Sequence, residues 1–259
     1  DSLEALFDVE FPTTGPFELS GGLKLDGNSF RVTDLTASVQ GPPDIPKIQV
    51  NQGELSAGWD VPVRLALQGQ YEDVPFSFTF ASTGPFEDLS QTTPNAIEAQ
   101  LSLADTKLNF QGSVIPKTIL EKFELDAQLQ GKTLQPLARI LDIELPEVGS
   151  FQFSFHTQFA EGVYSLTNLE GTINGIDPWK TIRIARGQAS FLESGVIQTS
   201  LNANLDKTPI SVSLQGGPST TGIAGQQAWP LNVTASSSGA RLKADGAVII
   251  GEKQNRLQM

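Results

Sequence analysis

The chain has no cysteine, one histidine and one methionine among its 259 residues. The first absence excludes a disulfide framework, a thiolate nucleophile and a structural zinc-thiolate centre; it tolerates an oxidising compartment without requiring one. The single histidine, His156, excludes a multi-histidine metal site. Placed at a polar position between Phe155 and Thr157, it reads as a surface residue rather than the base of a catalytic triad. No run of about 18 apolar residues is present to read as a membrane-spanning helix. Asp1 to Glu10 lacks the pattern of a signal peptide, so an export signal or anchor is expected to lie outside this sequence. Basic residues are also scarce: 17 Lys and Arg stand against 29 Asp and Glu, a formal charge of −12. That balance repels phosphate backbones and anionic headgroups over about a Debye length, which argues against a nucleic-acid partner. What is there, 39% hydrophobic and 18% charged residues, is the composition of a folded, soluble protein.

An internal repeat organises the sequence. Laid over itself with Leu3 on Leu137, the chain sets LEALFDVEFPTTGPFELS over LARILDIELPEVGSFQFS, pairing Asp8 with Asp142, Glu10 with Glu144, Pro12 with Pro146, Gly15 with Gly149 and Phe17 with Phe151. The register continues without a gap through Leu35 and Leu169, Gly53 and Gly187, Leu67 and Leu201, to Ile115 and Ile249, with 21 identical pairs between positions 3 and 115. The chain therefore reads as two tandem units. Residues 1–124 form an N-terminally truncated first copy, residues 125–259 a second, and the two are expected to share one continuous sheet.

Within each unit the apolar period is two, the signature of strands with one buried face. Leu55, Ala57, Trp59, Val61, Val63, Leu65, Leu67, Gly69 and Tyr71 alternate with mostly polar neighbours. Unbroken, such a strand would reach roughly 55 Å, so it must curve or break, and Pro62, lacking an amide hydrogen, marks where. Phe17 to Leu25, Val74 to Phe80, Ile97 to Leu103, Phe151 to Phe159, Ile210 to Leu214 and Leu231 to Ala235 repeat the alternation. Asp26-Gly27, Asp105-Thr106, Glu161-Gly162 and Ser238-Gly239 separate the runs as hairpin turns, making neighbours antiparallel. One stretch has helical spacing instead: Leu134, Leu137, Ala138, Ile140 and Leu141, with Thr133 as N-cap and Pro136 in the first turn. It predicts a short helix ending before Pro146, with a truncated counterpart over Ser2 to Phe7, able to plug the end of a one-faced sheet. The fold class is thus mainly β: a long curved antiparallel sheet, either a U-shaped groove or an open barrel or sandwich, with one or two short helices.

Leu125 to Asp177, beginning LDAQLQGKTLQPLARILDIELPEVGSFQF, resembles the repeated region of AsmA-family proteins: strand, short helix, Leu-Pro, Gly-x-Phe, then a β-meander. AWPLNVTASSSGARLKADGAVI is similar to the segment before that helix, and FPTTGPFELSGGLKLDGNSFRVTDLTASVQG to the one after it. The likeness covers nearly the whole chain and rests on apolar and glycine positions. It implies a periplasmic protein of the Gram-negative envelope, anchored in the inner membrane by a helix outside this sequence. It also implies a β-groove along which phospholipid acyl chains pass, and a part in outer-membrane homeostasis.

The lining expected for such a groove is Phe17, Leu19, Leu23, Leu65, Leu67, Phe76, Phe78 and Phe80, with Phe151, Phe153 and Phe155 in the second unit. The same pattern also fits a closed core in which these side chains touch only one another, making a structural or protein-docking module of the envelope. The sequence displays no concentrated basic pocket, so a bound lipid is expected to leave its headgroup in water, with weak headgroup selectivity. No catalytic residue, metal ligand or cofactor is expected. Asp8 with Glu10, and Asp142 with Glu144, read as solvated strand faces rather than paired glycosidase acids. Gly21-Gly22 and Gly216-Gly217 read as bulges or close packing rather than a nucleotide loop. Trp59, Trp179 and Trp229 read as core or rim, Asn232-Val-Thr234 as an alternating strand, and Lys180, Arg183 and Arg186 as a solvated face.

Overall fold

The computed structural model describes residues 17–39, 47–85, 93–115, 122–141, 147–192, 194–217, 220–221, 227–250 and 256–258. They are nearly all strand, joined in antiparallel pairs, with one short helix. The chain divides into two compact units, Asp1–Leu89 with Glu98–Ala104, and Ser90–Ile97 with Asp105–Met259.

In the first unit β1 (Phe17–Asp26), β2 (Ser29–Val39), β3 (Ile48–Gly58), β4 (Arg64–Tyr71) and β5 (Val74–Ser82) pair in chain order. Most of β6 (Asn95–Leu103) is counted with them. The second unit holds β7 (Thr106–Val114), β8 (Phe123–Gly131), α1 (Gln135–Leu141), β9 (Phe151–Ala160), β10 (Val163–Ile176), β11 (Trp179–Leu192), β12 (Ile197–Leu205) and β13 (Thr208–Gly216). It continues with β14 (Thr220–Thr221), β15 (Gln227–Ser237), β16 (Ala240–Ile250) and β17 (Arg256–Gln258). Here too strands pair in order, except that β13 reaches past β14 to β15. Within each unit, among the described residues, no pairing joins the first strand to the last.

The repeat is visible in the elements. At the offset that sets Phe17 on Phe151, β9 and β13 start and end where β1 and β5 do, and β10, β11, β12, β15 and β16 overlie β2, β3, β4, β6 and β7. Irregularities recur as well. The β1–β2 and β9–β10 pairs each slip register beside a residue forced to positive φ, Asp34 (52°) and Asn168 (53°). The register also shifts between Val50 and Gln52, and again between Ile184 and Arg186. A bulge at the same place in both copies is a designed feature of the sheet.

One expectation is resolved and one changes. The long alternating run from Leu55 to Tyr71 breaks around Pro62, as its length required: the chain reverses over Trp59–Val63, and Leu55 pairs with Leu65. The Asp105-Thr106 turn is displaced by one residue, with Ala104 at φ 47° in the bend and Thr106 already in β7. At Glu161-Gly162 and Ser238-Gly239 both residues have positive φ, as a type I′ hairpin requires. The helix starts at Gln135, whose N–H donates to the Thr133 hydroxyl at 3.3 Å. Its counterpart at Ser2 to Phe7 and its end before Pro146 lie outside the described residues, as do Asp8, Glu10, Asp142 and Glu144.

Burial is concentrated in the second unit around β7 to β9, in Val114, Ala127, Phe151 and Phe159, with Ala138 of α1 and Val148 also buried. Thr106 sits in this core with its hydroxyl unpartnered among the described residues. A buried hydroxyl without a hydrogen bond loses its hydration and regains nothing. Thr106→Val is therefore expected to stabilise the protein by about 1 kcal/mol, read as a raised urea midpoint with an unchanged slope.

Candidate functional site

The register gathers the apolar side chains of the first unit onto one face, because directly paired residues of adjacent strands point the same way. One row runs Leu23, Val32, Leu55, Leu65, Phe80 across five strands. Another runs Leu19, Ala37, Val50, Gly69, Phe76, and a third Phe17, Val39, Ile48, Tyr71, Val74. Between them Gly53 faces Leu67, and Leu67 faces Phe78. All eight residues expected to line a groove in this unit thus share one face. Burial pushes the Tyr71 phenol above its usual pKa, with the Glu72 carboxylate adding to the effect.

Cover over this face is graded. Leu65, Leu67, Phe76, Phe78 and Phe80 are half-buried, whereas Phe17, Leu19, Leu23 and Leu25 on β1 are 54%, 65%, 64% and 72% exposed. Those four side chains are large, apolar and aligned, which distinguishes them from the scattered exposed leucines of an ordinary surface. In the second unit Phe153 faces Leu129 and Phe155 faces Ala127, both phenylalanines being half-buried, while Phe151 faces Gly131 and is only 3% exposed. Phe151 is thus packed core. Beyond it Phe159 stacks on Tyr164 at 4.1 Å between ring centroids, with Phe123 6.0 Å from Phe159.

Bulges keep this face apolar. In β2 the apolar positions change phase, from Phe30 and Val32 to Leu35, Ala37 and Val39, and a regular strand would turn one set outward. The irregularity at Asp34 absorbs the change. Leu35 then meets Gly53 together with Leu67: a Cβ on Gly53 would lie 2.8 Å from Leu67 and 3.1 Å from Leu35. Leu169, Gly187 and Leu201 repeat that triad in the second copy, with a Cβ on Gly187 at 2.9 Å from Leu201 and 3.0 Å from Leu169. All three pairs are identities of the sequence repeat, so those identities preserve a packing contact.

The other face is polar. His156 lies there, its Nδ1 2.9 Å from Asp126 and its Nε2 3.5 Å from Glu124. Among the described residues no group of three or more His, Asp or Glu side chains is placed to hold a metal ion, and no helix is long and apolar enough to cross a membrane. Gly21-Gly22 falls at the β1–β2 register shift, and Gly217 donates to the Pro230 carbonyl at the end of β13. Trp59 and Trp179 are exposed, while Trp229 stacks with Phe191 at 6.4 Å. Asn232 donates to Asp245 across β15 and β16. Arg183 and Arg186 both pair with asparagines of β12, and the Lys180 backbone N–H donates to Asp206.

One cluster escaped the sequence reading. Lys24 pairs with Arg31, Arg31 with Ser56 and Ser56 with Arg64, so three cations stand in a single row across β1 to β4. The expectation of no concentrated basic pocket fails here, because residues seven and thirty-three positions apart become neighbours only through the register. No family model, no curated protein and no solved structure matches the chain.

Proposed function

We propose that this chain is part of an AsmA-like periplasmic protein, and that it holds phospholipid acyl chains against the apolar face of its sheets. The observation that carries the reading is the exposure of Phe17, Leu19, Leu23 and Leu25 at one end of an otherwise half-covered apolar face. Leaving apolar surface wet costs about 25 cal/mol per Å², and an acyl chain recovers about 0.8 kcal/mol for each CH₂ it buries there. These contacts are non-directional. A chain lying along one such row, across the strands, meets a new strand about every 4.8 Å, so sliding by one strand exchanges one apolar contact for another. That is a physical basis for conduction rather than capture. No cofactor or catalytic step enters the proposal; the anchor in the inner membrane and the role in outer-membrane homeostasis follow from the resemblance alone. The test is native mass spectrometry of gently purified protein, in which phospholipid adducts are expected and their complete absence would count against the proposal.

A second reading, a structural module that docks envelope proteins along a sheet edge, is favoured by one observation. β1 pairs only with β2 among the described residues, whereas its counterpart β9 pairs with both β8 and β10. An open edge of backbone donors and acceptors is a template for strand addition.

A further inference from the structure

The row of Lys24, Arg31 and Arg64 has no structural reason to be cationic. Like charges directly opposite one another destabilise a sheet, and among the described residues none of the three forms an ion pair. The repeat provides an internal control. The equivalent row of the second unit is Gln158, Ser165, Ser190 and Gln198, joined by the same pairings and wholly uncharged. The fold therefore accepts neutral side chains at every position of this row, and the first unit carries positive charge there in a chain whose formal balance is −12.

The row also borders an open depression of about 470 Å³, lined by Lys24, Arg31, Ser56 and Arg64 together with Asp26, Ser29, Phe30, Val61 and Pro62. Asp26 is the one carboxylate in that lining; Glu54, two residues from Ser56 in β3, Asp34, three from Arg31 in β2, and Asp60, in the β3–β4 connection, are the acids next along the chain. Arg31 and Arg64 stand two strand spacings apart, about 10 Å between backbones, with the Ser56 hydroxyl between them. Lys24, on β1, extends the row to three spacings, about 14 Å, and two guanidinium forks, an ammonium and a hydroxyl along it form a donor set suited to a phosphate group. The same end of the sheet is apolar on its other side. Leu25 is 72% exposed and pairs with Phe30, and Trp59, 61% exposed, is tied to the β1–β2 turn by its backbone N–H, which donates to the Asn28 carbonyl at 3.1 Å.

We infer that this end of the first unit binds a phospholipid headgroup at a membrane surface, the Lys24–Arg31–Arg64 row taking the phosphate while Leu25 and Trp59 enter the adjoining apolar layer. Cations beside an exposed tryptophan and leucine are the combination that interfacial lipid contacts use. The inference goes beyond the acyl-holding face and does not need that face to carry lipid.

The experiment is vesicle co-flotation of the intact chain, comparing pure phosphatidylcholine vesicles with mixed vesicles of phosphatidylcholine and phosphatidylglycerol, at low and high salt. Binding to the anionic vesicles is expected to exceed binding to the neutral ones, to fall with salt, and to drop about fivefold for each of Lys24→Gln, Arg31→Gln and Arg64→Gln. These side chains are exposed, so the thermal midpoint should not fall and the lipid adducts seen by native mass spectrometry should not change. Trp59→Ser should weaken binding to both kinds of vesicle. Millimolar inorganic phosphate, compared with chloride at matched ionic strength, should leave vesicle binding intact; displacement by phosphate would assign the row to a free anion and overturn the inference. Wild-type binding by the triple glutamine variant would overturn it too. Wild-type protein that lacks acyl adducts yet binds anionic vesicles through this row would contradict the acyl-holding face and support the headgroup site.

Discussion

Phe78→Asp is expected to cut the phospholipid retained by purified protein about tenfold while costing less than about 2 kcal/mol of stability. Phe78 sits mid-face, opposite Leu67 and between Phe76 and Phe80, and it is half-buried. On a face that acyl chains cover, a carboxylate there repels the ligand but keeps access to water when the ligand leaves. In a sealed core the same carboxylate has no water and no partner, and the fold loses several kcal/mol. Native mass spectrometry and urea unfolding on one preparation separate the cases. Lost lipid with a retained fold agrees with the proposal, whereas wholesale unfolding favours the closed core.

Gly112→Ala tests the sheet itself and is expected to cost about 3 kcal/mol. An exposed strand glycine is ordinarily improved by alanine, by roughly 0.5–1 kcal/mol, because the unfolded chain loses freedom. At Gly112 the sign reverses: a Cβ would stand 2.2 Å from the Glu124 carbonyl oxygen and 2.8 Å from the Leu125 side chain. The nearest obstacle is backbone, so no rotamer change relieves it and β7 must part from β8. The repeat retains glycine at the corresponding position, Gly246. A fall in the urea midpoint checks the expectation, and a rise would show that β7 and β8 do not approach as described.

The legible part of this molecule was its period. Alternation identifies β1, β4, β5, β6, β9, β13 and β15 and the lining face of β1, β4 and β5, where Leu65, Leu67, Gly69 and Tyr71 keep one phase without interruption. Helical spacing after Thr133 locates α1, since its cap and its apolar positions are local. Features that depend on chain reversal or register were not legible. Trp59–Val63 is a connection of five residues, an odd number, so Leu55 and Leu65 stay in phase across it and a hairpin imitates a single long strand. In β2 the apolar phase flips at Asp34, and composition gives no sign that a positive φ will absorb the flip. Alternation puts the eight groove candidates of the first unit on one face, but it carries no information on cover: it gives Phe151, which is packed, and Leu19, which is open, the same pattern. The cationic row was hidden for a related reason. Its members are scattered through the sequence and are joined only by strand pairing.

The claim on which the account rests is that the first unit offers its apolar face to lipid tails, and one measurement addresses it most directly. Phospholipid carrying a diazirine at mid-acyl depth is bound to the chain, activated by light and mapped by peptide sequencing. Adducts are predicted on Leu19, Leu23, Leu67 and Phe78, all on the apolar face. Adducts spread equally over Gln68, Ser77 and Thr79 of the opposite face, or confined to them, would contradict it.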